Sequence, residues 1–106
     1  MTGDAQLKQR YQLPRGLNAY RKIGPFDVGN LPAGLLREHR LKEGTWANLT
    51  LLEGEIGFVW DDPDSDGAVT VLKAGDRLHV PPLILHHLEV RDETFRLEIE
   101  FLSDSC

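Results

Sequence analysis

The chain has 106 residues, with 17 acidic against 12 basic side chains and 41% apolar residues. That is enough for one domain and not two, and a domain of this size holds a core without covalent staples. A net charge of −5 leaves no basic stripe to neutralise phosphates, which argues against nucleic acid as a partner and equally against docking on an anionic membrane.

In chain order, MTGDAQLKQR lacks the apolar centre of a signal peptide. LKQRY has the composition of one helical turn, but Pro14 and Gly16 end it, so residues 1–18 are expected to form a loose arm. Gly24, Pro25, Gly29, Pro32 and Gly34 break up residues 19–34 into loops or a short strand. From residue 35 the pattern changes to period two. LLREHRLKE places Leu35, Arg37, His39 and Leu41 on one face, and TWANLTLLEG follows between glycines. EIGFVW aligns Ile56, Phe58 and Trp60; after the turn DDPDSDG come AVTVLKAG and DRLHVPP. LHHLEV aligns His86, Leu88 and Val90, and TFRLEIEF aligns Phe95, Leu97, Ile99 and Phe101. Short alternating runs separated by turn signals predict an all-β sandwich or barrel, residues 19–102 forming the domain and 103–106 a tail. Cys106, the lone cysteine, closes the chain and permits no intrachain disulfide. With no apolar run of membrane-spanning length, the expectation is a soluble cytoplasmic protein.

DDPDSDG repeats the opening of a calcium loop, with Asp62, Asp64, Asp66 and Gly67 in the D-x-D-x-D-G spacing. The twelfth position, which needs a bidentate carboxylate, is Lys73, and both flanks alternate like strands. The segment reads as a solvated hairpin turn in which Asp, Pro, Ser and Gly each have a turn role.

Gly75, Pro81, Leu83 and His86 resemble the second cupin motif, G-x5-P-x-G-x2-H, with Leu83 at the second glycine. The first cupin motif is degraded: Gly54 matches its closing glycine, but Ala47 stands at its glutamate and no H-x-H precedes it. In its place, His39, Lys42, Gly44, Trp46, Leu49, Leu51 and Gly54 follow H-x2-K-x-G-x-W-x2-L-x-V-x2-G. Together with LPAGLL at 31–36, and Pro81, Pro82, His86, Glu100 and Phe101 later, this ordered set resembles the TehB/YeaR-like, tellurite-resistance-associated domain, a cupin-like family. The resemblance implies a small jelly-roll β-barrel, found alone or attached to a methyltransferase for which this chain is too short. It also implies, by analogy with cupin sheets, a homodimer.

The resemblance points to a metal site at His39 and His86, each on the apolar-parity face of its run, holding zinc, iron, nickel or manganese. Two imidazoles need a carboxylate to complete a two-histidine, one-carboxylate set. Glu100, which shares its parity with Glu98, is the nearest match. That assignment requires the last strand to be bulged or buried on both faces, because its apolar residues claim the inward side. Trp46 is expected in the core or pocket wall and Lys42 at a pocket or strand edge. His79 and His87 read as surface or supporting groups. Two functions follow: a metal-binding barrel that binds or transforms a small anion or other ligand, or a non-catalytic, dimeric ligand-binding module without metal.

Overall fold

The computed structural model describes residues 11–104. The strands are β1 (Asn18–Phe26), β2 (Thr45–Glu53), β3 (Glu55–Trp60), β4 (Val69–Lys73), β5 (Arg77–Val80), β6 (His86–Val90) and β7 (Arg96–Ser103), with a 3-10 turn at Ala33–Leu36. They make two antiparallel sheets, β1-β7-β2-β5 and β4-β3-β6. No helix among the described residues is long and apolar enough to cross a membrane. Residues 1–10, with most of the helical turn expected in LKQRY, and residues 105–106 with Cys106 lie outside the described residues.

The all-β expectation holds: among the described residues the strands form two sheets, with no ladder closing them into a barrel. The chain leaves the first sheet at Gly54 and returns to it past Gly75, where two backbone bonds carry the β2–β5 pairing one step further into the turn. Gly75 N–H donates to the Leu51 carbonyl at 2.8 Å, and Leu51 N–H donates to the Asp76 carbonyl at 2.9 Å. Gly54 sits at φ +76°, and a Cβ there would come within 2.8 Å of the Phe95 Cα. Both the backbone and the crowding demand glycine.

Around these corners Leu51, Ile56, Leu72, Leu78, Phe95 and Leu97 are wholly buried. Each contributes roughly 1.5–3 kcal/mol of burial, so this end is the closed, well-filled half of the sandwich. Ladder pairs Leu51–Leu97, Leu49–Ile99 and Ala47–Phe101 lead from it toward the other end. There the side chains shorten or turn polar, and a cavity remains.

The strand expected from residue 35 is also corrected. Leu35 and Leu36 belong to the 3-10 turn, and among the described residues the following segment meets a ladder partner only at His39. The period-two pattern reports facing rather than pairing: Leu35, His39 and Leu41 all line the cavity. The DDPDSDG segment is a β3–β4 hairpin turn, with Trp60 N–H donating to the Ala68 carbonyl at 2.8 Å, and with Asp66 and Gly67 at φ +50° and +75°.

Candidate functional site: a two-histidine cavity

The segment after the 3-10 turn touches β6 at one point. His39 and His86 exchange backbone hydrogen bonds, N–H to C=O, at 2.9 and 2.8 Å. This bridge sets the imidazoles edge to face, with ring centroids 4.3 Å apart and planes 73° apart. His86 also stacks on Phe58, at 4.8 Å and 25°. Both histidines line a cavity of about 180 Å³, walled by residues including Ile23, Leu49, Phe58, Leu88, Ile99 and Phe101.

The protons can be placed. His39 Nδ1 lies 2.8 Å from the Arg37 carbonyl, and His86 Nδ1 lies 2.8 Å from the Ile84 carbonyl. A carbonyl only accepts, so Nδ1 carries the hydrogen in each ring and the neutral tautomer leaves Nε2 as an acceptor. His86 is 3% exposed. Burial, reinforced by neighbouring His39, pushes its pKa from 6.5 down to about 4, outweighing the Ile84 carbonyl and Asp61, which act the other way. His86 is therefore neutral at neutral pH.

The other residues singled out lie elsewhere. Glu100 is on β7 with opposite parity to Ile99 and Phe101. It accepts from Asn48 Nδ2 at 3.4 Å on the outer face of the first sheet, where Lys22, Glu100, Asn48 and His79 form one row across four strands. His79 donates to Asn48 Oδ1 at 2.5 Å; burial first, then Arg77, lowers its pKa. Trp46 faces outward opposite Leu102, because Ala47 and Leu49 take the inward parity of β2. Lys42 is exposed and borders a polar groove with Tyr20, Glu43 and Ser103. The structure thus brings His39 and His86 together and keeps Glu100, Trp46 and Lys42 apart from them. Among the described residues, no group of three or more His, Cys, Asp or Glu side chains is placed to hold a metal ion.

Sequence reading passed over three participants. Phe58 was legible as inward-facing, but nothing local announced its stacking on His86. Asn48 had a signal, a polar residue within an apolar run. Asp61 had none: it accepts from His87 Nδ1 at 2.7 Å across the sheet, a pairing set by the register Trp60–His86.

A two-sheet sandwich with an apolar cavity and a paired-imidazole wall is the architecture that the comparisons now place. The sequence profile of the TehB-like domain matches residues 21–99, and the chain belongs to that family. A protein from Escherichia coli strain K12 superposes with a TM-score of 0.80 at 22% identity, over 91% of this chain and 99% of that one. TehB from Haemophilus influenzae superposes with a TM-score of 0.76 at 24% identity, over 84% of this chain and 32% of that one. At these identities the likeness speaks for the fold. No curated protein sequence matches the chain.

Proposed function

We propose that the chain is a non-catalytic ligand-binding module, a cupin-like jelly roll whose cavity holds a small molecule against His39 and His86. One observation carries this reading: two imidazoles with their Nδ1 donors committed to backbone carbonyls form the polar wall of an otherwise apolar cavity. Small-molecule sites are concave and mostly apolar with a few placed polar groups, and this cavity has that character. The family likeness supports a module. It extends over nearly the whole of the E. coli protein but only a third of H. influenzae TehB, so one unit recurs alone and within a longer chain.

The metal reading rests on the same pair. Fixing Nδ1 on a carbonyl is the usual preparation of a metal-binding imidazole, and zinc, iron, nickel or manganese would take Nε2 of His39 and of His86. Glu100, on the far face of its sheet, does not complete that set. The donors present do not fit a two-histidine, one-carboxylate site, and no reaction step is assigned to a metal here. A small anion is likewise excluded from this reading, since it would bring its charge against two lone pairs in an apolar wall. The tellurite association stays with the family and supplies no substrate for this chain.

Elemental analysis of untagged protein beside His39→Ala and His86→Ala tests the reading, together with a ligand-observed NMR screen of small neutral molecules. Expected are metal well below stoichiometry and ligands displaced by Ala47→Leu, which fills the cavity from β2. Near-stoichiometric metal lost in both histidine variants would overturn it. A homodimer belongs to the reading by analogy, and sedimentation at monomer mass would remove it.

A further inference from the structure

The proposed ligand-binding role can be taken further, to the class of ligand, and this step rests on that role. We propose that the His39/His86 cavity selects a neutral, single-ring aromatic molecule that carries a hydrogen-bond donor, as a phenol does.

Size comes first. The cavity holds about 180 Å³, and an apolar cavity of roughly 150 Å³ lined by Leu, Ile and Phe stays dry and accepts benzene. One ring with a hydroxyl therefore fits the space. The walls come second. Ile23, Leu49, Leu88 and Ile99 offer aliphatic surface, while Phe58 and Phe101 add aromatic surface, against which an aromatic ligand packs with more than its area alone.

Polarity decides between ligands of that size. The polar atoms that the two imidazoles leave for a ligand are Nε2 of His39 and Nε2 of His86, because each Nδ1–H already serves a carbonyl. Both are acceptors. A bare hydrocarbon fills the space but leaves them dry and unpaired. A carboxylate fills it and meets two lone pairs after losing its own hydration. A hydroxyl donor satisfies one of them. His86, depressed to about 4, does not become a cation for an anionic ligand at neutral pH.

The test uses the full chain at pH 7.5 and three probes of similar size, phenol, toluene and benzoate, titrated by heteronuclear NMR with shifts followed at Phe58, Leu88 and Ile99. Phenol is expected to bind about tenfold more tightly than toluene, the worth of one buried hydrogen bond, and benzoate not to bind. His39→Leu, at a half-buried position that a folded variant tolerates, is expected to bring phenol close to toluene. His39→Gln, which keeps polar atoms there, is expected to retain part of the preference. Toluene binding as tightly as phenol would overturn the donor inference while leaving the cavity's role intact, as would benzoate binding best. If neither arene moves those residues, the ligand-binding reading falls with it.

Discussion

The inner and outer histidines are built differently, although His86 and His87 are neighbours in the chain. His39 and His86 donate to the carbonyl two residues before their own, Arg37 and Ile84. Their tautomers are set by their own short segments. His79 and His87 donate to side chains from distant strands and turns, Asn48 and Asp61. The inner pair meets an apolar cavity, the outer residues sit in polar rows or beside solvent. Strand parity sorts His79, His86 and His87, and it also sorts the glutamates: β7 turns Ile99 in and Glu100 out. A ring whose proton is pinned by its own backbone keeps its acceptor aimed at the same place whatever happens on the outer faces.

The largest expected break in that contrast comes from adjacent residues of β7. Ile99→Ala, on the inner face at 5% exposure, is expected to cost roughly 2–5 kcal/mol. Glu100→Ala, next to it on the outer face, should lie within about 0.5 kcal/mol of wild type. Urea denaturation of the two variants measures the difference, and equal losses would show that β7 is buried on both sides after all.

The pH dependence follows in size. Above pH 6.5 His86 is neutral folded and unfolded. As pH falls from 6.5 to about 4, the unfolded chain takes up a proton that the folded protein refuses, so stability declines with acidification. The whole window is worth on the order of 3 kcal/mol. Denaturant midpoints between pH 7 and 4 should show this decline in wild type and a shallower one in His86→Leu; parallel curves would contradict the buried, neutral imidazole.

The outer histidine should matter less. His87 and Asp61 keep 29% and 15% of their side chains exposed, and Asp61→Ala is expected to cost about 1 kcal/mol, read from the thermal midpoint, with phenol binding in the cavity unchanged. A loss of that binding would join the two regions that the structure separates. Smallest is the corner before β6. Leu83 stands at φ +69° where the cupin motif has glycine, and the left-handed region costs a leucine roughly 1–2 kcal/mol. Leu83→Gly recovers that strain but adds unfolded-chain entropy, so a net gain of about 0.5 kcal/mol is expected in the same melts.

Much of this was legible from local chemistry. Alternation in EIGFVW, LHHLEV and TFRLEIEF reports side-chain facing directly, because a strand has period two, and the glycines at 54 and 75 marked the turns where the chain changes sheets. His39 and His86 were legible for the same reason. Their meeting was not, since it depends on a bridge between a segment outside the named strands and the start of β6. Glu100 and Trp46 show the limit of motif matching: each occupied a family position, and parity placed both on the outer face.

The sequence by itself determined the class, two-faced strands around one apolar core, and the family, through an ordered set of Gly, Pro, His and aromatic positions. Those are properties of spacing along the chain. Only the tertiary structure decided that, among the described residues, the strands divide into two sheets, that the two imidazoles stand 4.3 Å apart, and that no carboxylate joins them at the cavity. Each of those depends on which distant segments pair and in what register, and register arises from the sum of many weak contacts across the core rather than from any local run of residues.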